Sequence, residues 1–141
     1  MEDVDPHFST RTKARKAALD ILFQADLREC PPSDVLAQYR VEGDGPLRPL
    51  TVAIVEGVET HREAIDARVD AACAKGWNIQ RMPRVDRTLA RIAVFEIDHT
   101  DTPAAVVLSE AIELASWLST DESPAFLHGM LASAVRNRTA E

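Results

Sequence analysis

The stretch PRVDRTLARIAVFEIDH, residues 83–99, is the strongest helix signal in the chain, and the rest of the sequence is interpreted around it. Val85, Leu89 and Ile92 recur at helical spacing and share one side with Glu96. Proline suits the first position, because a backbone N–H is not needed in the first turn of a helix. We therefore expect an amphipathic helix over this whole stretch, with one face towards a core.

Six further helices are predicted around this one. Ser9 or Thr10 can cap a first helix that runs to about Arg28. Thr102-Pro103 and Ser123-Pro124 combine a capping residue with a proline and are expected to begin the sixth and seventh helices. The remaining helices are expected over about 30–39, over 47–60, and from there to Lys75, where Gly76 would be the left-handed cap. The pattern predicts an all-α, single-domain bundle of about seven helices.

Composition agrees with one folded domain. The chain has 141 residues, of which 45% are apolar and 28% are charged, and only five are glycine. These totals are typical of a helical domain with a real core. We expect a loose tail over residues 1–8 and a helical domain over residues 9–141.

The two cysteines and the start of the chain point to a cytoplasmic protein. Cys30 and Cys73 are too few and too far apart for a disulfide framework or a zinc site, so we expect reduced thiols. The acidic, polar start MEDVDPHFST does not have the pattern of a signal peptide. The longest aliphatic run, residues 104–108, is too short to cross a membrane, so no membrane association is expected.

Positive charge is concentrated in the segment RTKARKAALDIL, residues 11–22. Arg11, Lys13, Arg15 and Lys16 lie at the start of the first helix, where the helix dipole disfavours cations by a few tenths of a kcal/mol each. The whole chain has a net charge of −7. Since non-specific binding of nucleic acid depends on neutralising phosphates, such a chain needs a local basic patch to bind it.

A second basic cluster lies on the fifth helix. Arg84, Arg87 and Arg91 form a stripe away from the core face, and Phe95 continues it. Guanidinium groups bind phosphate oxygens and aromatic rings stack on unpaired bases, which favours RNA. The alternative is a solvated helix face in which Asp86 and Glu96 pair with the arginines. One cluster alone favours that alternative; two clusters shift the balance towards phosphate recognition without settling it.

The first helix has two apolar sides. Ala14, Ala18, Ile21, Leu22 and Ala25 form one of them. The other side consists of Leu19, Phe23 and Leu27. Such a helix is either central in the bundle or offers one side to a partner, and spacing alone favours the central position.

Enzymatic sites are weakly supported. Glu96 and His99 form a single Glu-x-x-His, whereas a di-iron bundle needs two such motifs and two further glutamates. The sequence has neither a nucleophile elbow nor a glycine-rich phosphate loop. We therefore expect no catalysis, no metal and no cofactor.

Three stretches resemble the NusB family of transcription antitermination factors. They are ARKAALDILFQADL (14–27), RVDRTLARIAVFEI (84–97) and TPAAVVLSEAIELASWLSTDESPAFLHG (102–129). The order SEAIELA and then DESPAFLHG is the most specific part. The resemblance implies two packed helical subdomains and no enzymatic activity.

The resemblance also implies partners. NusB-like proteins bind the single-stranded box A RNA of ribosomal operon leaders, together with a small-subunit ribosomal protein that doubles as NusE. With other Nus factors they join RNA polymerase and suppress premature termination. Some members form homodimers that hide the RNA surface. A helical protein–protein adaptor that does not bind RNA is the alternative.

Motif positions carry the family's binding residues over to this chain. His128 stands where the family usually has Asn, and Thr12 stands where arginine-rich members have a further cation, so weak RNA affinity without the partner is expected. The NusE-facing surface would include Phe23, Leu27 and Asp86. The implied RNA surface consists of Arg11, Lys13, Arg15, Arg87, Arg91, Glu122 and Phe126.

Overall fold

Seven α-helices and one short 3-10 helix make up the regular structure of residues 8–43 and 45–138, the part of the chain described by this computed structural model. Those residues contain no strand, which confirms the predicted all-α class. The α-helices are α1 (Thr10–Arg28), α2 (Pro32–Glu42), α3 (Pro49–Thr60), α4 (Arg62–Ala72), α5 (Arg84–His99), α6 (Ala104–Leu118) and α7 (Ser123–Arg136), and the 3-10 helix covers Ile79–Arg81.

Helix α5 lies at the centre of the bundle. Eleven of its residues are buried, and it packs against α1, α3, α4, α6 and α7. The sequence predicted one core-facing stripe, but α5 is covered on nearly every side. Helices α1, α2 and α3 pack together on one flank of it, and α6 and α7 pack together on another.

Local signals set the helix starts. Ser9 caps α1, since its hydroxyl accepts from the backbone N–H of Thr12 at 3.1 Å. Pro83 and Pro103 directly precede α5 and α6. Proline also lies in the first turn of α7. The predicted starts are therefore confirmed to within about two residues.

The end of α4 differs from the prediction. This helix stops at Ala72 rather than near Lys75, and Gly76 lies in the following turn with a φ of 91°. The carboxylate of Asp70 accepts from the backbone N–H of Ile79 at 2.7 Å. That bond holds the connection to the 3-10 helix, while the cap of α4 is Cys73, whose backbone N–H donates to the carbonyls of Val69 and Asp70.

The predicted tail ends differently as well. Residues 1–7 lie outside the described part of the chain, as do Asp44 and residues 139–141. Phe8 packs edge-on against Trp117 with ring centroids 5.8 Å apart. At this position the expectation of a loose tail is wrong, because the ring is partly buried against the core.

Cys30 and Cys73 are free thiols, as expected. Among the described residues, no helix is both long and apolar enough to span a membrane.

Candidate nucleic-acid interface

Arg15 lies inside the bundle and not on its surface. Its guanidinium donates from Nε and Nη2 to the two carboxylate oxygens of Glu96, both at 2.7 Å, and from Nη1 to Glu110 at 3.2 Å. Arg15 is 4% exposed and Glu96 is 1% exposed. The hydroxyl of Thr12 donates to Glu110 at 2.9 Å. This cluster joins α1 to α5 and α6, so the expectation that Arg15 faces RNA is wrong as to its exposure.

The paired carboxylates keep Arg15 charged. Hydrogen bonding to Glu96 raises the pKa of Arg15 above its ordinary value, against the opposing effect of burial. A raised pKa on a base gives stability that is complete below its unfolded pKa. Since that value lies far above neutral pH, the contribution of Arg15 is constant across neutral pH.

Arginines and aspartates form a network where α1, α4 and α5 meet. Arg87 donates from Nη2 to Asp26 at 2.9 Å, and Arg91 donates from Nε to Asp66 at 2.8 Å. Four guanidinium groups face two carboxylates, which leaves a formal excess of two positive charges. We call this set the arginine network: Arg62, Arg84, Arg87 and Arg91 with Asp26 and Asp66.

Burial in this network corrects the predicted basic stripe. Arg91 is 4% exposed, and the side chain of Arg87 is mostly buried. Phe95 is buried and stacks on His99, with ring centroids 5.8 Å apart, so it offers no face for a base. Arg84 is the most exposed arginine of the predicted stripe. The predicted ion-pair partners were also wrong, because they come from α1 and α4 rather than from α5 itself.

The two basic clusters do not converge on one point. Positions 91 and 96 lie about 140° apart around α5, so Arg91 and the Glu96 that holds Arg15 point to different sides. Along α1, Arg11 and Asp26 are separated by about 22 Å. The two groups of basic residues therefore lie towards opposite ends of α1.

Exposed positive charge remains at the start of α1. Arg11 and Arg48 are exposed and Lys13 is half-buried, and none of them forms an ion pair with a carboxylate of the described residues. Arg11 and Arg48 line a cleft of about 420 Å³, with Thr102 on its other side. The starts of α1 and α3 meet there, and their dipoles add positive potential. We call this the amino-terminal cleft.

A second cleft lies between the 3-10 connection and the start of α7. Trp77 and Phe126 face it with ring centroids 5.9 Å apart and ring planes inclined at 52°. Its volume is about 360 Å³, and Glu122 and Pro83 also line it. We call this the aromatic cleft. It includes Glu122 and Phe126, the two RNA-surface residues implied on the seventh helix.

Asp86 lines the aromatic cleft and holds the turn beside it in place. It accepts from the hydroxyls of Ser119 at 2.6 Å and Ser123 at 2.9 Å and is 3% exposed. These bonds fix the turn from α6 to α7, which carries Glu122. The expectation that Asp86 faces NusE is wrong as to its exposure, because both of its oxygens are used inside the fold.

The second apolar side of α1 is only partly covered. Leu19 is buried, Phe23 is half-buried and Leu27 is 56% exposed. The helix is therefore central over most of its length and leaves an apolar surface near its carboxyl end.

The described residues contain no group of three histidine, cysteine or acidic side chains placed to hold a metal. His128, the departure from the family pattern, is exposed on α7.

Comparison with known proteins assigns the chain to a family. A model of the NusB family matches residues 12–136. The chain belongs to the NusB family. The resemblance predicted from the sequence is therefore confirmed.

Curated relatives have the same assignment. The transcription antitermination protein NusB of Salinispora arenicola is 51% identical over 126 residues, which are 86% of this chain and 91% of that protein. The NusB of Acidothermus cellulolyticus is 49% identical over 129 residues, 91% of this chain and 88% of that protein. The NusB of Cutibacterium acnes is 46% identical over 140 residues, but this chain spans only 54% of its length. The name of these relatives describes a regulatory protein and not an enzyme, which agrees with the expectation of no catalysis.

Solved structures agree on the fold. NusB of T. maritima has a TM-score of 0.81 and 23% identity, covering 94% of each chain. A chain in a crystal structure of the antitermination factors NusB and NusE in complex with dsRNA has a TM-score of 0.78 and 21% identity, covering 89% of this chain and 96% of that one. At these identities the likeness shows the NusB fold alone.

Sequence reasoning missed the residues that complete each site. Arg48 stands alone before a proline, and Trp77 lies in a connection, so neither belongs to a periodic pattern. Asp26 and Asp66 are isolated acids on two other helices. Only the packing of α1 and α4 against α5 brings them to the arginines.

Proposed function

We propose that this NusB-family chain is a transcription antitermination factor. In this proposal it binds the single-stranded box A RNA of ribosomal operon leaders together with the ribosomal protein NusE. The pair then joins other Nus factors on RNA polymerase and suppresses premature termination. Family membership supports this role, and the clefts described above are the surfaces we assign to it.

The observation that carries the RNA assignment is the exposed charge at the amino-terminal cleft. Arg11, Lys13 and Arg48 keep their charge available to solvent in a chain with a net charge of −7. Cations at the start of a helix are unfavourable for the fold, and a phosphate offsets that cost through charge-assisted hydrogen bonds. Arg15 and Arg91 serve a different purpose, since each is buried and paired with carboxylates of other helices.

Filter binding tests this function. We expect retention of box A RNA to exceed that of a scrambled RNA of equal length, and NusE to increase the difference. A double-stranded box A competitor shows whether the single strand is the preferred form. Retention that depends on neither sequence nor NusE would contradict the proposal and favour the adaptor alternative.

We assign the NusE contact to the exposed apolar end of α1, at Phe23 and Leu27. Leu27→Asp is expected to weaken NusE binding at least tenfold, because it places a charge in an apolar contact. Val41→Asp is the matched control, since Val41 is also exposed but lies at the end of α2. Calorimetry measures the NusE affinity of both variants. Equal affinities would contradict the assignment of the NusE contact to this end of α1. Light scattering of the free chain shows whether the same surface forms a homodimer.

A further inference from the structure

One wall of the aromatic cleft is Trp77, which lies in a connection between helices and belongs to no periodic pattern. Trp77 is 44% exposed, although exposing a large aromatic surface gives the fold nothing. The guanidinium of Arg81 lies over the ring, 5.3 Å from its centroid, and this cation–π contact favours the observed orientation of the ring. Arg81 is itself anchored through Nη1, which donates to the carbonyl of Gly76 at 2.7 Å. The connection between α4 and α5 thus presents an aromatic face to solvent.

The chemistry around this face fits one kind of occupant. Trp77 and Phe126 offer two ring surfaces in a cleft of about 360 Å³, which is within the range of small ligand sites. Glu122 lines the same cleft, and a carboxylate only accepts hydrogen bonds. Arg81 places a cation beside the rings. A flat apolar ring with N–H donors on one edge and a phosphate nearby matches all three features.

The lining of the cleft carries the carboxylates of Asp86 and Glu122, and positive charge lies next to it along the chain. Pro83 lines it, and the next residue, Arg84, belongs to the arginine network and is partly exposed. The network has a formal excess of two positive charges. The neighbouring cations are Arg81, which lies over the ring of Trp77, and Arg84, which directly follows Pro83.

We infer that Trp77 is an RNA-binding residue that forms, with Phe126, a stacking site for one unpaired base. The inference rests on the proposed function. Glu122 accepts from the amino edge of the base, so cytosine, adenine or guanine is preferred to uracil, which lacks an exocyclic amine. Arg81 contacts the adjoining phosphate and holds Trp77 in position.

Binding of a single-stranded box A oligonucleotide to the full chain with NusE tests this site. Trp77→Ala is expected to weaken binding about tenfold, within the range of one stacked base, and Trp77→Phe is expected to restore most of it. Trp117→Ala is the matched control, because Trp117 is equally exposed but packs on Phe8. An abasic substitution at the stacked nucleotide should weaken wild type tenfold and add nothing in Trp77→Ala.

Fluorescence gives a second readout. The chain has two tryptophans, so Trp117→Phe leaves Trp77 as the sole reporter. We expect RNA to quench this emission, and the abasic oligonucleotide to quench it much less. Glu122→Gln should reduce the preference against uracil at the same nucleotide.

The outcomes separate this inference from the proposed function. If Trp77→Ala binds RNA like wild type while Arg11→Gln and Arg48→Gln weaken binding, the stacking site is wrong and the function stands. If Trp77→Ala loses affinity for NusE but not for RNA, the cleft takes a protein side chain and the inference is overturned. If none of these variants alters RNA binding, the stacking site and the amino-terminal cleft are both wrong as RNA contacts; the proposed function fails if wild type shows no preference for box A RNA over the scrambled RNA.

Discussion

The basic residues at the start of α1 differ in how deeply they are buried. Arg15 is held by Glu96 and Glu110, which offset the dipole cost of a cation near the start of a helix. Arg11 and Lys13 have no carboxylate partner among the described residues. One cluster in the sequence thus contains both a structural arginine and surface charges.

Removing the buried arginine is expected to be costly. Arg15→Met leaves the Glu96 carboxylate buried without its partner and should lower the free energy of unfolding by about 3 kcal/mol. Denaturant unfolding followed by circular dichroism measures this. Arg11→Met is the control and should change it by less than about 0.5 kcal/mol.

A double variant separates pairing from packing. Arg15→Met with Glu96→Leu removes both charges and should recover most of the loss, because an apolar pair of similar volume often replaces a buried ion pair. A double variant as unstable as Arg15→Met alone would show that the pair is not the source of the effect.

The stacked histidines predict a pH dependence at one site. The rings of His61 and His99 are 3.9 Å apart, and burial, followed by repulsion from His61, lowers the pKa of His99. Asp98 acts in the opposite direction but does not outweigh them. A base with a depressed folded pKa contributes stability above its unfolded pKa, near 6.5, which is lost as pH falls through the folded pKa.

We therefore expect the melting temperature of wild type to fall on acidification more than that of His99→Phe. The phenylalanine keeps a ring in the stack but cannot be protonated. Melting curves between pH 8 and pH 5 measure the difference. Parallel curves for the two proteins would show that His99 does not titrate in this way.

Between elements, α3 approaches α5 closely at Gly57. A Cβ at this position would clash with the ring atoms Cε1 and Cζ of Phe95. That ring belongs to α5 and stacks on His61 and His99. Glycine is required here by space and not by backbone conformation. This contact sets how closely α3 lies against the central helix.

Gly57→Ala is expected to destabilise the fold by about 1–3 kcal/mol through overpacking. Gly129→Ala is the matched control on α7, because its Cβ would meet nothing within 4 Å. That change should stabilise by up to about 1 kcal/mol, since alanine is the better helix former. Equal unfolding midpoints for the two variants would contradict the close contact.

The helices could be predicted from the sequence, but whether their arginines are exposed or buried could not. Caps and prolines fixed the starts of α1, α5, α6 and α7 because those signals are local. Arg87 and Arg91 recur at helical spacing whether they face water or carboxylates. Which of the two applies depends on Asp26 and Asp66, whose positions follow only from the packing of other helices. Glu122 and Phe126 were found through the family motif, whereas Trp77 lies in a connection without periodicity.

At the scale of the whole molecule, the acidic chain presents positive charge in two of the regions described above. One is the amino-terminal cleft with Arg11 and Arg48, and the other is the exposed edge of the arginine network at Arg84. They lie about 20 Å apart along α1. This arrangement favours an extended strand over a compact anion as the ligand.

The salt dependence of RNA affinity tests most directly whether the exposed arginines, and not the buried ones, contact RNA. With box A RNA and NusE, Arg11→Gln and Arg48→Gln should each reduce the slope of log affinity against log salt by about 0.7, the value for one phosphate contact on a single strand. The folded double variant Arg15→Met with Glu96→Leu should leave the slope unchanged. An unchanged slope for the two surface variants, or a reduced slope for the buried one, would contradict the claim that exposed and not buried arginines meet the RNA.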